Sequence, residues 1–265
     1  MLCHVKQIYI EKNFIGSAYA GLFANSDHKV LGGMIGIRKS LLDQPSTLDE
    51  WASWKEQIHF GTDPSHVNVA QGLPIVHTSM KDGQLDMLYF LMAHELGHLF
   101  DFSNGVNQFV GCENQHDESC VSTPKPNSWG ALSWKTDKTP LDIDNFPLRS
   151  SLCFYFCEGK FIPASRQDEL YEGLGKTNFL SAYTTRYPTE DFADTFAFYT
   201  LMTERNASYV VETACGQSYD IIERLRSGLL LAPKKKFIED FLSSPYKYPG
   251  DGSEPSGRLL SKVAY

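Results

Sequence analysis

Residues 94 to 98 read His-Glu-Leu-Gly-His. On a helix, side chains four apart lie one above the other on the same face, so His94 and His98 can offer their imidazoles to one ion at about 2.0–2.1 Å each. Glu95 is turned about 100° from His94, which leaves it beside the metal rather than bound to it, as a general base for a metal-bound water. A helix carrying two histidines and a solvated glutamate by chance would share these letters. The flanks, Leu91-Met92-Ala93 and Leu99-Phe100, argue against that, because a glutamate buried without a partner beside two imidazoles is costly and a cation removes the cost. Gly97 adds to this: a mid-helix glycine costs roughly 0.8–1 kcal/mol relative to alanine, which makes sense if something packs closely on the turn. The pattern predicts one catalytic Zn2+.

Catalytic zinc usually takes three protein ligands and keeps one position for water. No His-x-x-Gly-x-x-His continuation follows His98, since the chain runs Leu99-Phe100-Asp101-Phe102-Ser103-Asn104, and this excludes the metzincin arrangement. The third ligand is therefore sought in Tyr187-Pro188-Thr189-Glu190-Asp191-Phe192-Ala193-Asp194-Thr195-Phe196. Proline and threonine there open a helix with Glu190 in its first turn. Ala193 and Ala197 would let that helix approach the metal helix, and Asp194 is placed to accept the second ring N–H of a ligand histidine. Phe192, Phe196 and Tyr199 form an apolar stripe on the other side. Acidic residues at a helix start are also favoured by the macrodipole alone, and Asp191 competes with Glu190 for the ligand role.

With both motifs in view, the chain resembles the gluzincin metallopeptidases, in the branch related to the anthrax lethal factor catalytic domain and the Pro-Pro endopeptidases. The resemblance rests on His94 to His98 and on Tyr183 followed seven residues later by Glu190-Asp191-Phe192-Ala193-Asp194-Thr195-Phe196. It implies an α+β, zincin-like fold with a small mixed sheet, an active-site helix and a mainly helical C-terminal lobe. It also implies an active-site tyrosine that stabilises an oxyanion, matched here by Tyr183, with Tyr187 as the second candidate. The segment between the motifs is longer than in compact relatives and carries four cysteines.

The expected activity is hydrolysis of a protein or peptide substrate, which would lie along a sheet edge lent by Met34 to Arg38 or by the Val67 to His77 region. Two rivals share the metal. One is a non-catalytic, structural zinc site closed by His77, His116 or a cysteine. The other is a zinc hydrolase acting on a non-peptide amide.

The elements that must position these residues are readable in part. Leu85 to about Phe102 lacks proline and repeats apolar residues at Leu85, Leu88, Met92, Leu96 and Leu99, which predicts a buried helix. Gln7 to Ile10, Met34 to Arg38, Val67 to Ala70 and Pro74 to His77 read as strands. Thr47 with Glu50 predicts a capping box opening a helix through Trp51, Trp54 and Ile58, ended by Gly61-Thr62-Asp63-Pro64. Helical patterning returns at Thr189 to Met202 and Tyr219 to Leu230, and Pro233 opens a last helix through Phe241. Residues 103–150, rich in Asn, Ser, Asp, Pro and Gly, read as a loop-rich insertion in which Trp129 and Trp134 either line a cleft or, more commonly, pin loops to the core. The whole reads as a single metallopeptidase domain over 1–248 with a flexible tail over 249–265.

Composition sets the outer limits. The 265 residues are 42% apolar and 21% charged, with a formal net charge of −8. No apolar run approaches the roughly 20 residues of a membrane span. The negative balance argues against nucleic acid, the one compact basic run being Lys234 to Lys236. Met1 to Gln7 lacks the basic and long apolar stretches of a signal peptide. The six cysteines group as Cys112 with Cys120, Cys153 with Cys157, and Cys3 with Cys215, which suits disulfides and an extracytoplasmic setting, secreted or periplasmic. Six reduced thiols, or a zinc site from the middle four, are the alternatives.

Overall fold

The computed structural model describes residues 5–26, 30–111, 120–155, 157 and 159–246. It is a mixed α+β structure with small sheets. The first sheet contains β1 (Val5–Glu11), β2 (Ala18–Ala24) and β3 (Val30–Arg38) in the order β1-β3-β2, with β3 parallel to β1 and antiparallel to β2. β3 is thus central, not the edge expected from Met34 to Arg38. Its residues Ile35 and Ile37 are buried with Leu22 of β2. β2 escaped the sequence reading because Ala18-Tyr19-Ala20-Gly21 is weak in strand formers. It is held by its partner: the Tyr19 ring lies over Gly36, its register partner, where any Cβ would collide with it.

A short α1 (Lys39–Asp43) leads to α2 (Leu48–Gln57), which opens with the expected capping box, the Thr47 N–H donating to the Glu50 carboxylate (2.8 Å) and the Glu50 N–H to the Thr47 hydroxyl (3.1 Å). A 3-10 turn follows, and Gly61 ends it in the left-handed region at φ 101°. Val67 to Ala70 is no strand. The Gln57 side-chain amide takes the place of a neighbouring strand there, accepting from the Ala70 N–H at 2.7 Å and donating to the Ala70 carbonyl at 3.1 Å. The strand that does form, β4 (Ile75–Thr78), is the edge of an antiparallel sheet ordered β4-β7-β8, with β7 at Tyr209–Glu212 and β8 at Ser218–Asp220.

The predicted motif helix is α3 (Gln84–Asn104), closed by Gly105 in the left-handed conformation with its N–H on the Asp101 carbonyl at 2.8 Å. Leu85 lies outside the buried face, at 70% exposure. Residues 93 to 101 are buried without interruption, since α3 is covered by three sets of neighbours. Leu96 and Leu99 pack on the first sheet; Phe90 and Leu91 join Trp51, Trp54 and Phe198; and Phe100 joins Trp129, Phe192, Phe196 and Ile238.

After α3 comes the predominantly irregular segment, with one small pairing of β5 (Phe109–Val110) to β6 (Thr123–Pro124). Then follow α4 (Gln167–Gly175), α5 (Pro188–Glu204), α6 (Ile221–Ser227) and α7 (Ala232–Ser243). The helix expected over Tyr219 to Leu230 is shorter at both ends: Tyr219 belongs to β8, Asp220 caps α6 by accepting from the Glu223 N–H, and Leu229 to Leu231 form a 3-10 turn. The tail over 249–265 lies outside the described residues. Among the described residues no helix is long and apolar enough to cross a membrane.

Cys153 and Cys157 form a disulfide, Cα to Cα 5.5 Å. This removes the four-cysteine zinc site, which needs both as thiolates. Cys120 is also disulfide-bonded. Cys215 is a free, exposed thiol, so the expectation that all six cysteines pair does not hold; Cys3 and Cys112 lie outside the described residues.

Candidate metal centre

α3 and α5 cross at Gly97. A Cβ added there would lie 2.8 Å from the Ala193 Cα and 3.2 Å from its carbonyl oxygen, both backbone atoms. The glycine and the alanine thus permit a backbone-to-backbone approach that brings the first turn of α5 against the histidines of α3. Pro188 occupies the start of α5 and Tyr187 before it is extended, as a residue preceding proline prefers.

Three donor atoms converge at this crossing. His94 Nε2 lies 3.2 Å from Glu190 Oε2 and 3.2 Å from His98 Nε2, and His98 Nε2 lies 3.3 Å from Glu190 Oε2. All three side chains are buried. Ligand bonds of about 2.0–2.1 Å in tetrahedral array give a ligand-to-ligand edge of about 3.3 Å, so the triangle has the size one such ion demands. The chemistry agrees with the size. With its Nδ1–H donated to Asp194 Oδ1 at 3.2 Å, a neutral His94 aims the lone pair of Nε2 at a carboxylate oxygen and another ring nitrogen. In that state three lone pairs meet at one buried point, which a cation relieves; without one, Asp194 and Glu190 outweigh burial and raise the His94 pKa to about 9, so that the imidazole itself takes up a proton. The group can therefore hold a metal ion. Among the described residues no fourth His, Cys, Asp or Glu joins it.

The electrostatics separate two carboxylates. Burial works against charge on Glu190, but the two imidazoles outweigh it and hold its pKa well below the ordinary value. Burial dominates at Glu95 and pushes its pKa up, the imidazoles opposing. Glu95 Oε2 is buried with no hydrogen-bond partner. One carboxylate is thus kept charged for a cation, and its neighbour is left unengaged and more basic. Asp194 is held below its ordinary pKa because Lys55, His94 and Ser181 together outweigh its burial; its Oδ2 accepts from the Ser181 hydroxyl.

Asp191 takes no part in this cluster. Adjacent to Glu190 but turned to the far side of α5, it accepts from Lys234 Nζ at 2.6 and 2.7 Å and from the indoles of Trp129 and Trp134 at 3.1 Å each. This decides two further points. The tryptophans pin the irregular segment to the core rather than lining a cleft, and Lys234, from the one basic run, is buried and paired rather than solvated. His77 sits on β4 beside Glu212, 3.5 Å away, and closes no metal site; His116 lies outside the described residues.

The three donors open into a cleft of about 620 Å³, mouth included, which Glu95, Tyr183, Lys55, Trp51 and residues 16 to 20 also line. Tyr183 lies with its ring centroid 5.8 Å from that of His94. Its hydroxyl accepts from Arg186 Nη1 at 3.3 Å, and burial raises its pKa well above 10, so it keeps its proton. Tyr187, 39% exposed, lies outside the cleft.

Lys55 and Tyr155 are among the lining residues that the sequence did not single out. Lys55 places its ammonium 3.8 Å from the Tyr183 ring centroid and 5.1 Å from that of Trp51. Tyr155, from between the bridged cysteines, hydrogen-bonds Ser17, and burial pushes its pKa up to about 12. The only signal for Tyr155 was its place inside the Cys153–Cys157 bracket; Lys55 carried none. Comparison of the chain with family models, with curated proteins and with solved structures brings no match, and the chemistry must be read from this geometry.

Proposed function

We propose that this chain is a zinc-dependent endopeptidase of gluzincin type on a zincin-like fold. The observation that carries the reading is the 3.2–3.3 Å triangle of His94, His98 and Glu190 beside an unpartnered Glu95 carboxylate. Nitrogen donors with one carboxylate suit zinc, and a three-ligand set is the catalytic rather than the structural pattern. A zinc ion held there supplies Lewis acidity and lowers the pKa of water to about 7.

Each residue then has a task. Glu95, raised in pKa and free of hydrogen bonds, takes the proton from the attacking water and passes it to the leaving amine. Tyr183, protonated and held by Arg186, donates to the carbonyl oxygen as negative charge develops. Asp194 fixes the His94 tautomer through Nδ1 and is itself fixed by Ser181. Ala18 to Ala20 of β2 line the cleft, and β2 is an edge of its sheet, so its backbone supports an extended peptide adding as a further strand.

The test is Glu95→Gln assayed on a peptide library, with and without chelator. The enzyme reading expects zinc to be retained and cleavage lost. A structural site would show no chelator-sensitive cleavage in either protein, and cleavage confined to non-peptide amides would redirect the assignment.

A further inference from the structure

Beyond the metal cleft lies a second cavity that the chemistry above leaves unused, lined by Arg149, Arg186, Phe154, Tyr155 and Tyr187 among others. The two cavities share Tyr155 as a wall. Arg186 also ties them together, since its Nη1 reaches the Tyr183 hydroxyl at 3.3 Å while its guanidinium lies 5.5 to 5.8 Å from the ring centroids of Phe154, Tyr155, Tyr183 and Tyr187.

Arg149 is half-buried. Nε donates to Asn145 Oδ1 at 3.0 Å and Nη1 to the Thr185 carbonyl at 3.1 Å. Both acceptors are neutral, so these contacts orient the guanidinium without neutralising it, and they engage two of its five N–H donors. No ion pair involves Arg149 among the described residues. Burial lowers its pKa with no opposing carboxylate. In a chain of formal net charge −8, an arginine beside aromatic walls with no acidic partner among the described residues runs against the overall balance. Guanidinium forks match carboxylates bidentately, and the aromatic walls thin the water that would weaken the contact.

We propose that Arg149 anchors a carboxylate-binding subsite in this cavity, so that the peptide the cleft accepts carries an acidic side chain or its own C-terminal carboxylate near the bond to be cut. The proposal rests on the peptidase reading for its substrate, and its failure can be told apart from failure of that reading.

The experiment uses a matched peptide set, glutamate against glutamine at each position around a cleavable bond, each with free or amidated C terminus. Metal-loaded protein is expected to favour the carboxylate-bearing peptides by roughly tenfold or more in kcat/KM. In Arg149→Ala that ratio is expected to fall to about two or less, with Arg149→Lys recovering part of it. The amidated glutamate peptide and the free-ended glutamine peptide distinguish side-chain from terminal carboxylate.

Fluorescence anisotropy of the same peptides on Glu95→Gln reads the subsite without turnover. Arg149-dependent binding of acidic peptides with no cleavage by the unaltered protein would sink the peptidase and keep the subsite. Cleavage indifferent to carboxylates, or a preference that survives Arg149→Ala, overturns the subsite alone. Neither cleavage nor binding overturns both. Should Arg149→Ala fail to fold, the glutamate-to-glutamine ratio on the unaltered protein decides.

Discussion

Gly97 of α3 and Ala193 of α5 meet so closely that no side-chain atom fits between their backbones, the nearest approach of an added Cβ to Ala193 Cα being 2.8 Å. Because Glu190 sits one turn before Ala193, this contact sets how far its carboxylate stands from the two histidines. Gly97→Ala adds helix propensity of roughly 0.8–1 kcal/mol but forces rigid backbone apart, and overpacking of this kind costs about 1–3 kcal/mol. We expect net destabilisation together with weaker zinc binding. Thermal melts and competitive chelator titration measure the two, and a variant that binds zinc as tightly as the parent would contradict the role given to the contact.

If Glu95 is the general base proposed, Glu95→Gln should keep the metal and lower kcat by about 10²–10⁴-fold, the usual worth of such a group. On the proposed mechanism, in which its hydroxyl acts as charge develops, Tyr183→Phe should lower kcat by about 10²-fold or more with little change in KM. Tyr187→Phe should leave both parameters near the parent values. Equal losses at the two tyrosines would refute the assignment of Tyr183 to the cleft chemistry.

On the proposed reading, removal of the ion leaves His94, His98 and Glu190 facing one another at 3.2–3.3 Å without the charge they coordinate, relieved only in part by protonation of His94. The chelated protein should therefore melt lower, and the melting temperature should climb with free zinc as ligand linkage requires, by about 2.7 kcal/mol of stability at a hundredfold excess over Kd. Glu190→Gln should abolish most of that zinc dependence. A melting temperature indifferent to zinc would argue that the triangle holds no metal.

Asp191 and Lys234 form a fully buried ion pair, 2.6 Å between Nζ and Oδ1. Burial pushes the Asp191 pKa up to about 6 despite Lys234, and pushes the lysine pKa down despite the aspartate. Lys234→Met leaves a buried carboxylate unpaired and should cost about 3–5 kcal/mol, whereas the double change with Asp191→Leu should recover much of it. Zinc stoichiometry should stay at one in any of these variants that folds. Denaturant titration with metal analysis checks both halves, and loss of zinc from a folded Asp191→Asn protein would return that residue to the ligand set.

Near the cleft, two buried groups oppose each other in pH dependence. His59 is held down to about 4 by burial, so between pH 4 and 6.5 the unfolded chain binds a proton that the folded one refuses, and stability rises with pH. Glu56 is pushed up to about 7 by burial, so between 4.5 and 7 the folded chain keeps a proton that the unfolded one has lost, and stability falls with pH. Glu56→Gln removes the second slope while leaving an acceptor for the Tyr171 hydroxyl, 2.7 Å away in the parent. Urea titrations at pH 5 and 7 should show this variant gaining more stability over the interval than the parent does. A smaller gain would mean that Glu56 is ionised in the fold.

Local pattern determined the pieces of this protein whose cause is local. His94 and His98 share a helix face because they are four apart, Thr47 and Glu50 cap α2 because they are three apart, and Pro188 starts α5 by its own ring geometry. Even the glycine cost at position 97 pointed to a close neighbour. Tertiary structure decided whatever depends on rotation about an axis or on distant partners. Glu190 and Asp191 are adjacent in sequence, yet one faces the histidines and the other faces Lys234 and two indoles. β2 exists because β3 pairs with it, Ala70 is satisfied by Gln57 instead of a strand, and Tyr155 and Lys55 reach the cleft from a cysteine bracket and a capped helix whose local patterns say nothing of what those side chains meet. Periodicity states which residues share a face; only packing against the rest of the chain states what that face meets.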